Sequence, residues 1–149
     1  MNDGEVQIRV LSEMIRKWAH SKKAFITFDA YLQEIALWKK LTGIHQVRRI
    51  LEIGSGSGWF LTVAVALGFA EEGVGVDPAF SEEGTHIDEV RTTESVISRL
   101  DLSDRVHFRI CTLADFLPKA LFEGERYDLL VFRNTLHHIP TIKRKSQIL

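Results

Sequence analysis

The feature that most restricts this chain is Gly54-Ser55-Gly56-Ser57-Gly58, set between two apolar segments. The run Val47, Ile50, Leu51 and Ile53 leads into it, and Trp59, Phe60, Leu61, Val63 and Val65 follow. An apolar strand that turns at once into an apolar helix needs residues that tolerate positive φ and close backbone approach, which glycine supplies. The N-terminus of the following helix presents free N–H groups and a partial positive charge to an anion, either a phosphate or an amino-acid carboxylate.

The spacing separates cofactor classes. A dinucleotide cradle reads G-x-G-x-x-G. Here the pattern is G-x-G-x-G, and Trp59 stands where the third glycine of that fingerprint would fall. Glu52 precedes the first glycine by two residues, where a carboxylate can meet a ligand's ammonium group directly or through water. Neither feature suits a pyrophosphate, so a nucleotide- or NAD-binding oxidoreductase module is disfavoured.

The rest of the chain supplies the frame. Leu11, Met14, Ile15 and Trp18 share one helix face, and Phe28, Tyr31, Leu32, Ile35 and Trp38 share another. Lys39 and Lys40 followed by Gly43 form a helix stop. Strands are expected at residues 47–53, 73–76, 106–111 and 127–132, and helices at 59–67 (closed by Gly68) and 87–100. Val90, Val96, Ile97 and Leu100 form the inner face of the latter. Residues 81–86 read as polar loop, and 115–125 as a short helix or turn broken by Gly124. This alternation predicts an α/β domain with a Rossmann-like parallel sheet over residues 47–149, after an N-terminal helical flank over 1–46. Trp18 and Trp38 are packing residues, and Cys111 is a core residue on the third strand.

At the end of the second strand stands Asp77, 23 residues after Gly54. A carboxylate there accepts both hydrogen bonds of a ribose diol, or serves as a turn or capping residue before Pro78.

Composition excludes several classes. With 19 basic and 20 acidic residues the net charge is −1, which argues against a broad nucleic-acid footprint. Lys143, Arg144 and Lys145 read as a solvated helix surface. The longest nearly apolar stretch, residues 59–70, is too short for a membrane span of roughly 20 residues. A lone cysteine and an N-terminus without a secretory pattern suggest a cytoplasmic protein.

Together these residues resemble the class I S-adenosylmethionine-dependent methyltransferases. The resemblance runs over residues 50–140 and continues through Leu102-Ser103-Asp104-Arg105-Val106-His107-Phe108, then Tyr127-Asp128-Leu129-Leu130-Val131-Phe132 and Asn134-Thr135-Leu136-His137-His138-Ile139. It implies strand order 3-2-1-4, part of a seven-stranded sheet, and S-adenosyl-L-methionine as cofactor. Gly54, Gly56 and Gly58, with Ser55 and Ser57 between them, would run beside the methionine moiety, with Glu52 near its amino group. Asp77 would hold the ribose hydroxyls and Pro78 would lie near the adenine. Thr112 and Leu113 stand where the family places an acid and a small apolar residue against the adenine. Thr112 departs from the acid, and Asp115 is a substitute. Arg133 and Asn134 would border the sulfonium and the substrate entrance.

The resemblance also implies methyl transfer to an acceptor, expected to be a small molecule. His137 and His138 are candidate bases for an acceptor that must lose a proton, although one histidine of such a pair more often holds a loop. The loop after the fourth strand lacks the Asn/Asp-Pro-Pro-aromatic signature of amino-methylating nucleic-acid enzymes and the cysteine of cytosine C5 chemistry. No metal site is expected. Family members continue beyond a point corresponding to Leu149 with a helix and three strands, so a fragment, a split subunit or a shortened product is expected. The fourth strand then forms an edge inviting self-association or a partner chain. The alternative function is a noncatalytic cofactor-binding or interaction subunit completed by such a partner.

Overall fold

The computed structural model describes residues 3–80, 87–133 and 135. The expectations placed on residues 81–86, Asn134, His137, His138 and residues 143–145 lie outside these.

Two helices lead. α1 (Asp3–Trp18) and α2 (Lys22–Thr42) are antiparallel neighbours. Ser21 caps α2 by accepting a hydrogen bond from the Ala24 N–H at 3.1 Å, and Gly43 ends it in the left-handed region at φ 68°. The buried stripe of α2 is Ala24, Phe28, Leu32 and Ile35, at the three- and four-residue spacing of one helix face. Leu11 and Ile15 of α1 join the same cluster. Both helices begin earlier than their apolar patterns. The first residues of α1 include the exposed Val6 and Val10, so they carry no periodic signal.

The remaining elements alternate: β1 (Val47–Ile53), α3 (Trp59–Ala66), β2 (Ala70–Val76), α4 (Ile87–Arg99), β3 (Val106–Arg109), α5 (Leu113–Phe122) and β4 (Leu129–Phe132). The four strands form one parallel sheet in the order β3-β2-β1-β4. This is the doubly wound α/β architecture that the sequence implies. Leu51, Ile53, Val74 and Val76 pack with Phe116 and Ala120 of α5 on one face. Ile50, Val106 and Val131 pack with α1, α2, α3 and α4 on the other.

Strand bounds differ from expectation where charge interrupts the apolar pattern. β2 starts at Ala70, because Glu71 and Glu72 lie within it at the base of the sheet. There Glu72 pairs with Arg49 at 3.1 Å, and the Glu71 carbonyl accepts from Arg105 Nε at 2.7 Å. Cys111 is not a strand residue. β3 ends at Arg109, the Cys111 N–H turns back to the Arg109 carbonyl at 3.0 Å, and the side chain is half-buried against the α5 cluster. β4 begins at Leu129, after Asp128 has locked onto β1. Its N–H donates to the Arg49 carbonyl at 2.8 Å, and its carboxylate accepts from the Arg49 N–H at 2.7 Å.

Phe28 is fully buried, its ring 6.1 Å from that of Trp59, and so joins the flanking helices to α3. Phe28→Ala is expected to lower stability by about 3–5 kcal/mol, read from urea unfolding followed by tryptophan fluorescence.

Candidate functional site

The carboxyl ends of the strands converge on the glycine turn, the end of an open parallel sheet at which ligands bind. The turn hangs from β2. Gly54 N–H donates to the Val76 carbonyl at 2.7 Å, and Gly58 N–H closes onto the Ser55 carbonyl at 2.8 Å. Gly54, Gly56 and Gly58 have φ of 74°, 54° and 77°, all in the region that disfavours side chains. Their surroundings differ. A β-carbon on Gly54 would overlap the Thr135 side chain, and one on Gly58 would overlap the Phe108 ring. Phe108 is itself stacked on Phe80 at 4.0 Å. At Gly56 nothing lies within 4 Å, so this backbone face is open to approach.

Asp77 joins β2 to the turn. Its Oδ2 accepts from the Gly56 N–H at 3.0 Å and its Oδ1 from the Ala79 N–H at 2.8 Å. It is therefore a turn aspartate and also a carboxylate beside the glycines. Each oxygen retains lone-pair capacity for another donor. Pro78 is exposed next to it. The Ser57 carbonyl accepts from the Thr93 hydroxyl at 2.6 Å, tying the turn to α4.

Glu52 is the unusual group. Alternation along β1 turns Leu51 and Ile53 toward α5 and Glu52 toward α2 and α3, where it is 3% exposed. Burial pushes its carboxyl up from 4.5 to about 8. The Arg133 guanidinium and a backbone hydrogen bond at Leu61 pull it down, while Asp77 and Glu34 add to the rise. Glu52 Oε2 and Ser55 Oγ are both buried without a hydrogen-bond partner among the described residues.

Arg133 follows β4 and lies beside β1, where Phe132 is paired with Ile53. Its guanidinium lies over the rings of Tyr31 at 4.4 Å and Phe60 at 5.0 Å. Nη2 donates to Glu34 Oε2 at 2.8 Å, whereas Nη1 is buried without a partner among the described residues. The Thr135 hydroxyl lies 2.7 Å from the Arg133 carbonyl and 3.5 Å from that of Gly54, fastening this segment to the turn. Glu34 and Tyr31 were not candidates by sequence: 99 residues separate Glu34 from Arg133, and no motif links them.

Thr112 and Asp115 are engaged with each other. Thr112 caps α5 by accepting from the Asp115 N–H at 3.2 Å, and its hydroxyl donates to Asp115 Oδ2 at 2.6 Å. Leu113 is half-buried against the α5 cluster. At the opposite end of the strands, a cleft between Arg48, Arg49, Glu71, Glu72, Glu123 and Glu125 carries charges that pair across it. Arg49 meets Glu72 at 3.1 Å and Glu125 at 3.6 Å, and Arg109 meets Glu125 at 3.5 Å. Burial there, with the Glu125 carboxylate beside it, pushes the Tyr127 phenol above its usual range.

A methyltransferase-domain family model matches residues 13–145, almost the whole chain. The chain belongs to the methyltransferase-domain family. Its sheet order and layering are those of the class I, Rossmann-like members. With an O-methyltransferase family protein from Burkholderia thailandensis it shares 18% identity and a TM-score of 0.50, over 81% of this chain and 35% of that one. With a mutant of MtNAS it shares 14% identity and a TM-score of 0.50, over 93% of this chain and 50% of that one. The methyltransferase domain thus spans half or less of the length of these two structures, and at such identities the likeness is one of fold. No curated protein sequence matches the chain. Among the described residues no helix is long and apolar enough to cross a membrane.

The raised Glu52 carboxyl has a consequence for stability. Between pH 4.5 and about 8 the folded chain binds more protons at Glu52 than the unfolded chain does, so stability falls as pH rises through that window. Glu52→Gln removes this component. Its unfolding free energy, followed by urea titration from pH 5 to 8, is expected to slope downward less than that of the parent.

Proposed function

We propose that this methyltransferase domain binds S-adenosyl-L-methionine at the glycine turn and supports transfer of its methyl group to a small-molecule acceptor. The observation that carries the reading is the buried Glu52 oxygen, without a hydrogen-bond partner among the described residues, on the strand that leads into the open Gly56 turn and within electrostatic reach of Asp77. A buried acid lacking a partner is a standing penalty that a ligand ammonium group relieves.

The residues present fit this cofactor. Glu52 would receive the ammonium, and the turn at Gly56 would let the backbone lie close to the methionine moiety. Asp77 has acceptor capacity for the ribose hydroxyls while it keeps its bond to Gly56. Pro78 and Leu113 offer apolar surface suited to the adenine. When bound, the cofactor supplies a methyl group on a sulfonium, already activated toward an in-line nucleophile. The protein's contribution is therefore to align that nucleophile and exclude water. Proton removal is needed only for acceptors that must lose a proton, and His137 and His138 remain the candidates for it.

Asp77→Ala is expected to weaken S-adenosylhomocysteine binding by about 1–3 kcal/mol, measured by calorimetry on a variant whose circular dichroism matches the parent. Unchanged affinity would remove Asp77 from the site, and tighter binding of NADH by the parent would reject the cofactor assignment. Proton linkage gives a separate check. Near pH 7 the carboxyl of Glu52 is largely protonated, and an ammonium partner favours its ionised form. Binding should therefore release a proton, and affinity should rise with pH and level off above about 8. Calorimetry in buffers of differing ionisation enthalpy measures the proton count.

A further inference from the structure

We propose that Arg133 holds the carboxylate of the cofactor's amino-acid moiety, and that Glu34 of the N-terminal helices is the residue that positions it. This rests on the cofactor reading above and adds to it a second half of the amino-acid grip, built partly by α2.

The place usually open to a ligand carboxylate is the N-terminus of the helix after the glycine turn. Here Glu52 is buried at that end of α3, with a backbone hydrogen bond at Leu61, the third residue of the helix. A second carboxylate brought to the same N–H groups would meet a like charge. Asp77 and Glu34 add further negative charge around Glu52. An anionic ligand group entering here needs a cation, and Arg133 is the cation that stands among these acids.

The geometry of Arg133 suits the task. One terminal nitrogen is tied to Glu34 at 2.8 Å, and the guanidinium plane rests on Tyr31 and Phe60. The other terminal nitrogen is buried and has no partner among the described residues. A guanidinium fixed on one edge and unpaired on the other is arranged to accept a second anion. Among the described residues, Glu52 Oε2 and Arg133 Nη1 are thus an acid and a cation without hydrogen-bond partners on the same side of the sheet, suited to the ammonium and carboxylate of one α-amino acid. Glu34 keeps the guanidinium in place without contacting the ligand itself.

The test compares S-adenosylhomocysteine with its decarboxylated analogue, which differs only by the carboxylate, using calorimetry. Wild type is expected to prefer the carboxylated ligand by about 10- to 100-fold, the worth of a charge-assisted hydrogen bond. In Arg133→Met the two ligands should bind within about twofold of each other. Arg133→Lys keeps the charge and stem but loses the fork, and it should retain only a small preference; it carries the same test if Arg133→Met does not fold. Glu34→Ala should lose most of the preference, and Glu34→Gln, whose amide oxygen still accepts from Nη2, should keep it. A full preference surviving in the Arg133 variants overturns the assignment of Arg133, and one surviving in Glu34→Ala overturns that of Glu34. A wild type that binds both ligands equally overturns this inference alone. A wild type that binds neither overturns the cofactor reading beneath it.

Discussion

A carboxylate buried between a sheet and a helix must be answered by hydrogen bonds and opposite charge, or it must stay neutral. Glu52 is in that position, and the arrangement of the upper end of the molecule follows from it. A backbone hydrogen bond at Leu61 draws α3 over the acid. Arg133, delivered by β4 from the other side of β1, supplies the nearest favourable charge. Arg133 in turn is held by Glu34 and by the rings of Tyr31 and Phe60. One unfavourable burial thereby binds β1, α3, β4 and α2 into a single electrostatic unit, and still leaves one oxygen of the acid and one nitrogen of the base without partners among the described residues.

The lower end of the sheet carries a charge cluster whose members pair across neighbouring strands. Arg49 is shared between Glu72 and Glu125, lies over the Tyr127 ring at 4.7 Å, and sits beside the Asp128 contact that starts β4. These interactions join neighbouring strands and hold their register. At the upper end Glu52 Oε2 and Arg133 Nη1 lack hydrogen-bond partners among the described residues, and the middle glycine of the turn is open. Position in the α/β fold separates the two: one cluster lies toward the amino ends of the strands, the other at the carboxyl ends, where open parallel sheets bind their ligands.

Much of this was legible in the residues. Strand β1 and the start of α3 were marked because an apolar run on each side of a glycine cluster leaves few alternatives. Gly43 marked the end of α2 for the same conformational reason. The parallel sheet followed from the alternation of elements, and its strand order from the family resemblance. Where polar residues enter an element, the signal failed: Glu71 and Glu72 hid the first half of β2, and the exposed Val6 and Val10 hid the first half of α1. Thr112 and Asp115, expected near the adenine through the family resemblance, also have the three-residue spacing of a helix cap, and the structure shows that bond. The Glu34–Arg133 pair was illegible because it depends on how α2 crosses the sheet, which no local pattern encodes.

The three glycines illustrate the limit of motif reading most directly. In the sequence they form one repeat and suggest one task, yet the fold divides them. Gly54 and Gly58 are glycines because the protein's own side chains, Thr135 and Phe108, occupy the space a β-carbon would need. Substitution at either position is therefore penalised whether or not any ligand binds. Gly56 has open space at the same position, and its N–H is already committed to Asp77. Its positive φ still resists a side chain, but close packing does not. A loss of ligand affinity on changing Gly54 or Gly58 is thus ambiguous between damage to the fold and damage to the site. At Gly56 the packing explanation is absent, and for that reason the middle glycine reports most cleanly on what approaches the turn from outside.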